Sequence, residues 1–386
     1  MEINQKQSRM KTADSAGEQP SRQHSRRPLA SAALAPGLRF LGWLLIAAAV
    51  ILAFRAGLAL IQDKTTPRIL AMLIATGLGV AGVWLFYWTL DRLVALLPVA
   101  RLRRRLLPLV FAGPALAMVF IYLVYPAALT IYLSFHDARS EHFVGLENYR
   151  FVFTEPAMRT AFANNIFWII MVTSASVALG LIIAVLFDRV RYESVAKSLI
   201  FLPTAISFVG ASVIWKFVYA YQPKGRPQIG LLNALVVQAG GEPVGWLIER
   251  GINNLALMVV MIWLQTGFCM VVLSAALKAI PDEIIDAARI DGASELQIFF
   301  SIVIPTLRGA IMTVATAVVI AVLKVFDIVY VMTNGQYSTE VIANRMYAEM
   351  FRYRDYGRAS ALAVILLLAV VPVIIANVRN IRRQRS

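Results

Sequence analysis

The chain has 386 residues, of which 59% are hydrophobic and 15% charged, and its formal net charge is +15. Its apolar residues fall in blocks of roughly 20, the length that a helix needs to cross a bilayer. Because Lys and Arg lie beside these blocks and no basic stripe is interleaved with aromatic residues, the charge indicates lipid headgroups and argues against nucleic acid. Cys269 is the single cysteine, inside an apolar block, and three scattered histidines suggest no zinc site. The composition is that of an integral membrane protein.

Residues 1–37 are polar, rich in Ser, Gln and Arg, and lack periodicity, which predicts a disordered tail. The first apolar block starts near residue 38, too late for a cleaved signal peptide, so we expect it to remain as a helix. The pattern predicts an all-α membrane protein of about eight transmembrane helices. The apolar blocks cover residues 38–61, 69–90, 108–133, 164–187, 198–220, 254–277, 309–333 and 359–378.

The orientation follows from the Lys and Arg of the tail, of the loop after the second span and of the C-terminus, because short basic loops stay in the cytoplasm. These three segments fall on one side if the number of spans is even. We therefore expect both termini in the cytoplasm of a multi-pass protein. The longer loops 134–163, 221–253 and 334–358 are then external and offer a docking surface for an external partner.

Between spans six and seven lies the sequence KAIPDEIIDAARIDGASELQIFFSIVIPTLRG, which is too polar to insert and too regular for a loose loop. Pro281 suits the first turn of a helix, and acidic residues follow it at the positive end of the helix dipole. Ile284, Ala287 and Ala288 share one face, on which the alanines allow close approach of another surface. Gly292 is suited to end this helix. The pattern predicts a cytoplasmic helix-turn-helix over residues 281–305.

A second short helix is expected after the bend, where Ser294 and Gln297 have capping-box spacing and Pro305 marks the end. The alternative is an amphipathic helix lying on lipid headgroups. Residues 282–295 contain five acidic residues and one Arg, and an anionic membrane surface would repel them. A protein partner is the better interpretation.

The segment resembles the motif of the membrane subunits of binding-protein-dependent ABC importers, which reads Glu-Ala-Ala, three residues, Gly, nine residues, Ile, any residue, Leu-Pro. The matching positions, with every spacing kept, are Asp286, Ala287, Ala288, Gly292, Ile302, Ile304 and Pro305. The departures are Asp for Glu and Ile for Leu. The first matters more, since the resemblance implies that this carboxylate pairs with a basic residue of an ATPase, and the shorter side chain reaches less far.

The resemblance extends over most of the chain and narrows to the sugar permeases of the maltose-type family. It is carried by VGLENYRFVF (144–153), SLIFLPTAIS (198–207), LKAIPDEIIDAARIDGAS (277–294) and VFDIVYVMTNG (325–335). Within that group, YQPKGRPQIGLLN (221–233) and WLQTGFCMVVLSAALKAIP (263–281) look most like permeases for alpha-glucosides. The family's transport unit has six spans. The resemblance therefore implies a transport domain over 108–386, preceded by an extra pair of spans and a basic loop over 38–107.

The chain has no phosphate-binding G-x-x-x-x-G-K-[ST] string, so ATP and Mg are expected on a separate ATPase dimer and no cofactor on this chain. The resemblance also implies a second related permease, an external solute-binding protein, a sugar substrate and a location in the bacterial inner membrane. The segment 281–305 would then couple the ATPase to the spans, with no catalytic residues in this chain.

Polar residues within spans are costly in lipid and usually face a protein interior or a cavity. Candidates for the sugar pathway are Asn164, Asn165, Gln265, Lys324, Asp327 and Tyr330. Lys324 and Asp327 are three residues apart and could instead form a structural ion pair. Gln265 could equally hold helices together. The aromatic residues Trp215, Tyr219 and Trp263 are suited to stacking on sugar rings, but headgroup-level belt positions also explain them.

Two other classes of protein predict different features. A secondary transporter would need a repeated pair of broken helices with ionisable groups at the midplane, and Asp327 is the only acidic residue deep in a span. A membrane enzyme would need clustered carboxylates near the interface, whereas Asp137, Glu141 and Glu147 are scattered. Neither class explains the segment 281–305.

Overall fold

The structure is a computed structural model that describes residues 29–63, 65–95, 100–188 and 190–385. Helices are the regular structure of these residues, and an isolated bridge joins His136 to Phe143. Most of the predicted tail lies outside the described residues. Its described part, residues 29–37, is Ala-rich and forms the first turns of a helix that begins at Leu29.

The chain divides into two compact units, residues 1–123 and residues 124–386. The helices of the first unit are α1 (Leu29–Gln62), α2 (Arg68–Gly77), α3 (Val83–Ala95) and α4 (Ala100–Val119). A π-helical turn, Leu78–Gly82, joins α2 to α3 in one continuous span, and a second, Phe120–Val124, follows α4.

The second unit consists of long helices linked by short ones. Its helices are α5 (Tyr125–Leu133), α6 (Glu147–Thr154), α7 (Pro156–Leu186), α8 (Glu193–Phe201), α9 (Phe208–Val218), α10 (Leu231–Gln238), α11 (Asn253–Leu277), α12 (Asp282–Ile290), α13 (Glu295–Ile298), α14 (Ile304–Thr306), α15 (Arg308–Leu323), α16 (Asp327–Met332), α17 (Ile342–Tyr347) and α18 (Tyr356–Arg385). Further tight turns are the 3₁₀ turn Leu202–Ala205 and the π turns Phe299–Val303 and Ala348–Arg352.

Six helices among the described residues are long and apolar enough to cross a membrane, and the number rises to eight if each of two bent pairs is one span. The predicted count of eight and the all-α class agree with this range. The six single candidates are Leu41–Gln62, Arg68–Ala95, Leu107–Leu133, Pro156–Leu186, Asn253–Leu277 and Tyr356–Arg379.

The predicted fifth span, 198–220, is broken. Helices Glu193–Ala205 and Phe208–Val218 meet at 100°. Pro203 lies in the 3₁₀ turn that ends the first helix, and the hydroxyl of Ser207 accepts a hydrogen bond from the backbone N–H of Gly210 (3.0 Å), which caps the second. The sequence therefore starts a new helix inside the apolar block.

The predicted seventh span, 309–333, is also not one helix. α15 ends at Leu323 and α16 begins at Asp327. At its other end, α15 meets the helical stretch Glu295–Thr306 at 68°. The prediction of a continuous span was wrong here, because hydropathy records apolar composition and not backbone continuity.

The core of the second unit is built around α7 and α11. Lipid is as apolar as the side chains, so close packing drives helix association in a membrane more than removal from water does. Gly180 of α7 provides the closest approach, since a Cβ there would lie 2.5 Å from Cβ of Cys269 and 2.8 Å from the backbone N of Met270. Fully buried neighbours include Trp168, Val172, Leu257, Val260, Met270 and Leu273.

Candidate functional site

The segment 281–305 forms two short helical stretches on either side of a bend. Pro281 immediately precedes α12, in an extended conformation, and acidic side chains occupy the first turn. After Ile290 the chain reverses at Gly292, whose φ is +82°. No atom lies within 4 Å of a Cβ built at Gly292. Backbone conformation, and not lack of space, therefore requires glycine here.

The second stretch begins with a capping box. The backbone N–H of Gln297 donates to the hydroxyl of Ser294 (3.3 Å), and the backbone N–H of Ser294 donates to Oε1 of Gln297 (2.8 Å). Helical backbone continues through a π turn to Thr306, one residue beyond Pro305. The two reciprocal bonds fix the position at which the chain leaves the bend.

Arg289 links the two stretches across the bend. Its Nε donates to Oε1 of Glu295 (2.8 Å) and its Nη2 to Oε2 (3.3 Å), while Nη1 donates to Oδ1 of Asp286 (3.2 Å). The hydrogen bonds and charge of Glu295, followed by those of Asp286, raise the pKa of Arg289 above its usual value. Asp286, which the motif assigns to an ATPase contact, is thus paired within the chain.

One side of α12 packs on the core and the other is exposed. Ile285 and Ala288 pack against the core, whereas Ile284 and Ala287 are exposed. Ile284 and Ala287 are therefore on a side that another surface can approach, as the sequence predicts, while Ala288 is half-buried against the core. The exposed side carries large apolar residues, led by Ile290, which is 87% exposed. This side of the segment is open to a partner surface.

Large apolar side chains continue beyond the bend. Leu296 and Phe300 are 72% and 63% exposed, whereas Ile298 and Val303 are buried in the core. Ile302 is half-buried and packs against the same core. The segment thus has one face anchored to the helices and one face free.

Asn164 and Asn165 hold a loop in place through hydrogen bonds to its backbone. The Nδ2 group of Asn164 donates to the carbonyl oxygens of Ser338 and Glu340, both at 2.8 Å. Oδ1 of Asn165 accepts from the backbone N–H of Ile342 (2.9 Å). Both asparagines are buried. These contacts give the pair a structural role, and the Nδ2 group of Asn165 is buried without a hydrogen-bond partner among the described residues. The pathway role of both asparagines stays a prediction.

Gln265 lies at the middle of α11 and is half-buried. Its amide makes no hydrogen bond with any residue that the structure describes. The hydroxyl of the adjacent Thr266, by contrast, donates to the carbonyl of Ile262 in its own helix (2.7 Å). Gln265 therefore has free hydrogen-bonding capacity at mid-membrane depth.

Lys324 and Asp327 border the break in the predicted seventh span. Both residues are described, and no ion pair joins them. The predicted structural pair was wrong, because the helix stops between them. Lys324 is instead the C-cap of α15 and Asp327 begins α16, so each charge lies at the helix end whose dipole favours it. Lys324 also lines a largely apolar cavity of about 580 Å³.

Tyr330 belongs to an aromatic cluster that the sequence did not indicate. Its ring centroid lies 5.0 Å from those of Phe326 and Tyr347, and Tyr347 lies 4.7 Å from Phe351. Tyr330 and Phe351 are exposed. Tyr347 and Phe351 come from the predicted external loop, and only the fold brings them to the break near Lys324.

The other predicted aromatic candidates lie mainly in protein packing. The hydroxyl of buried Tyr219 donates to the carbonyl of Ala256 (3.0 Å), and Trp215 meets Trp263 edge-on at 5.8 Å. For Tyr219, burial excludes both a sugar-stacking surface and a headgroup-level belt position. Exposed aromatic surface is instead found at the cluster around Tyr330.

Comparisons with known proteins agree with this architecture. Residues 176–386 match the family model described as "Binding-protein-dependent transport system inner membrane component". The osmoprotective compounds uptake permease protein GgtC of Synechocystis sp. is 61% identical over 276 residues, which cover 72% of this chain and 99% of that protein. The alpha-glucoside transport system permease protein AglF of Rhizobium meliloti is 50% identical over 285 residues, covering 74% of this chain and 85% of that protein.

Among solved structures, the chain is similar to a chain of a bacterial ABC transporter involved in the import of the acidic polysaccharide alginate. The TM-score is 0.63 at 21% identity, and the match covers 73% of this chain and 97% of that chain. This likeness supports the fold alone. The predicted family and the all-α membrane fold are thereby confirmed. The chain belongs to the family of binding-protein-dependent transport system inner membrane components.

Proposed function

We propose that this chain is the membrane permease of an ABC importer that moves a neutral glycoside, such as an alpha-glucoside, into the cytoplasm. In this proposal a separate ATPase dimer binds Mg and hydrolyses ATP, and no catalytic residue lies in this chain. A second related permease completes the pathway, and an external solute-binding protein delivers the sugar. The observation that carries the proposal is the segment 281–305, with one face packed on the core and the other exposed.

The packing of this segment supports a coupling role. Ile285, Ile298 and Val303 belong to or contact the same core as α7 and α11. A partner that moves α12 must therefore move the packed helices or break contacts in a densely packed interior, which transmits strain. Arg289 adds a brace between the two stretches. The segment would transmit a displacement of the ATPase as a rigid lever.

Asp286 has two roles in this proposal. Its carboxylate accepts one bond from Arg289, at 3.2 Å, and is 63% exposed. A carboxylate has about four lone-pair sites, so a basic residue of the ATPase can bind the same group. The shorter Asp in place of the family's Glu is then compensated by a side chain that Arg289 holds in place.

The sugar pathway is proposed at the break between α15 and α16. Irregular backbone at membrane depth is tolerated where it is buried in protein or lines a water-filled cavity. Lys324 and Asp327 flank the break, Tyr330 is exposed beside it, and Gln265 has a free amide. These groups supply the combination of polar and aromatic contacts that sugars need.

The substrate class follows from the relatives together with this charge pattern. One relative is named for osmoprotective compounds and the other for alpha-glucosides. Lys324 and Asp327 flank the proposed pathway with opposite charges, so a substrate with a net charge would be repelled by one of them. A neutral glycoside is compatible with the substrates for which both relatives are named, and it avoids this repulsion.

The orientation proposed is with both termini in the cytoplasm of the bacterial inner membrane, which places 281–305 on the ATPase side. The external partner would contact the opposite side. Loop 334–341 is held in place there by Asn164 and Asn253, and the latter donates to the carbonyl of Tyr337 (2.8 Å). A preformed loop of this kind suits recognition of a binding protein.

The coupling proposal is tested by Gly292→Pro with Gly292→Asn as the matched control. Proline cannot adopt a φ of +82° and removes the N–H that donates to the carbonyl of Arg289 (3.0 Å), whereas asparagine tolerates left-handed backbone. In proteoliposomes containing the whole complex, we expect Gly292→Pro to insert and assemble but to lose ATP-driven uptake of radiolabelled trehalose. Gly292→Asn should retain uptake. Normal uptake by the proline variant would refute coupling through this segment.

The substrate proposal is tested separately, on the solute-binding protein and on the complex. Neutral alpha-glucosides, anionic oligosaccharides and glycine betaine are compared as ligands by calorimetry and as competitors of trehalose uptake. Competition by the neutral glycosides alone supports the proposal. Competition by glycine betaine, or preference for the anionic sugars, would contradict the assigned class while leaving the transporter assignment intact.

A further inference from the structure

Arg55 is a positive charge inside the first membrane span. It lies within the candidate span Leu41–Gln62, about 10 Å from the nearer end at 1.5 Å rise per residue. Side chains on a helix lean toward its N-terminus, so the guanidinium leans away from that nearer end and toward the bilayer interior. Snorkelling to the closer headgroups is therefore unfavourable for this residue.

Packing within the N-terminal unit agrees with this depth. Phe54 directly precedes Arg55, and a Cβ built at Gly82 would lie 3.4 Å from the Phe54 ring. Gly82 stands at the middle of the span Arg68–Ala95. Half the thickness of a bilayer core is about 15 Å. Arg55 thus lies near the bilayer centre, remote from the phosphates on both sides.

The N-terminal unit offers Arg55 no counter-charge at this depth. Asp63 and Asp91 are the carboxylates of residues 29–123, and the first is in a turn where it accepts hydrogen bonds from Thr65. Asp91 lies near the end of α3. Arg55 makes no ion pair or hydrogen bond with any residue in the described part of the chain.

Arg55 lines a cavity of about 500 Å³ whose other walls are apolar or aromatic. The hydroxyl of Tyr87, the other polar group of the wall, donates to the carbonyl of Phe111 (3.3 Å). Ile51 and Met118, also in the wall, are 52% and 65% exposed, so the cavity opens to the outside of the unit. The site is an apolar recess with one guanidinium group, which has no ion-pair partner among the described residues.

We propose that this recess receives a membrane-spanning helix of a partner protein, and that an Asp or Glu at the centre of that helix pairs with Arg55. Arginine deep in a membrane is retained when it pairs with an opposite charge or faces a protein interior, and its planar group binds a carboxylate through two hydrogen bonds. The match to GgtC uses 72% of this chain and 99% of that protein, so more than a quarter of this chain has no counterpart there. Arg55 also lies outside residues 176–386, which match the family model, so a partner-specific attachment is a role for this part of the chain.

The first experiment places a photo-crosslinking amino acid in the recess of the full-length chain in its native membrane. Benzoylphenylalanine replaces Ile51, and the control replaces Met72, which is 70% exposed in the same unit and outside the recess. We expect a protein adduct from Ile51, absent from Met72, whose crosslinked span contains Asp or Glu near its centre. Adducts with phospholipid alone, with a span lacking a carboxylate, or with nothing would overturn the proposal.

The second experiment removes the charge in the same crosslinking chain. Arg55→Leu should lower the adduct at least tenfold and Arg55→Lys should retain most of it, while Arg68→Leu, at the end of a span, should leave it unchanged. Membrane insertion of each variant is checked by protease protection. An adduct that is equal in Arg55→Leu and wild type would refute the ion pair.

A charge exchange then identifies the pair directly. Arg55→Glu should abolish the adduct, and Arg replacing the identified carboxylate of the partner should restore it. Failure of the exchange when both proteins insert normally would also count against the pair. These outcomes are independent of sugar uptake, so they distinguish this proposal from the proposed transport function.

Discussion

The α7–α11 pair and the segment 281–305 belong to one unit but are stabilised in opposite ways. α7 and α11 meet through Gly180 at a distance that leaves no room for a methyl group, and their facing side chains are buried. The segment has an unobstructed glycine at its bend and exposed ion pairs. The first region is fixed by space and the second by backbone conformation and charge. Substitutions should therefore disturb folding in the first region and transport in the second.

The largest expected effect comes from Gly180→Leu. The new side chain would overlap Cys269 and the backbone of Met270, and overpacking in a dense interior costs about 3 kcal/mol or more when the backbone must move. We expect loss of the folded protein, measured as the yield of monodisperse complex and its Tm in detergent. Gly42→Leu is the matched control, because no atom lies within 4 Å of a Cβ built there. Equal yields from both variants would mean that α7 and α11 are not closely packed.

Arg289→Leu should reduce transport and leave the stability of the protein nearly unchanged. It removes the bonds to Glu295 and Asp286, but all three side chains are more than two-fifths exposed, and exposed pairs contribute little to stability. We expect Tm to change by less than about 2 °C, with uptake reduced roughly fivefold at normal ATPase activity because the brace between the two stretches is lost. Arg289→Lys should fall between the two, since it keeps the charge without the planar fork.

A large fall in Tm for Arg289→Leu would contradict this division, because it would show that the segment contributes to the fold as the core does. Unchanged uptake would show that the brace has no part in coupling. The two measurements must therefore be made on the same preparations.

The sequence predicted the ends of the long spans because polar residues mark where each apolar block begins and ends. The sixth span was expected at 254–277 and α11 covers Asn253–Leu277, since a polar residue precedes the apolar block and Lys278 follows it. The fifth span was predicted as continuous although Pro203 followed by a capping Ser207 signalled the break. The break is therefore encoded locally in the sequence.

Other features had no signal in the sequence. The break after Leu323 contains neither Gly nor Pro, so tertiary packing decides it. The pairing of Arg289 with Glu295 depends on how Gly292 turns the chain, which spacing along a straight helix does not describe. The contacts of Asn164 join residues more than 170 positions apart. Local patterns record propensity and composition, and these features depend on the closed fold.

The smallest expected effect concerns Glu340, in the loop that Asn164 anchors. Burial raises the pKa of its carboxyl above the ordinary 4.5, although Asn344 and the backbone N–H of Val341 donate hydrogen bonds to it. The folded state then binds a proton more tightly than the unfolded state, so this contribution to stability is complete below pH 4.5 and is lost as the pH rises through the folded pKa.

Glu340→Gln imitates the protonated carboxyl and keeps an acceptor for both donors. We expect its Tm to equal that of the wild type near pH 4 and to exceed it by up to about 4 °C at pH 8, measured on detergent-purified protein. Uptake should be unchanged, because the loop keeps its backbone contacts with Asn164. A Tm difference that is largest at low pH would reverse the sign and show that the carboxylate is stabilised in the folded state.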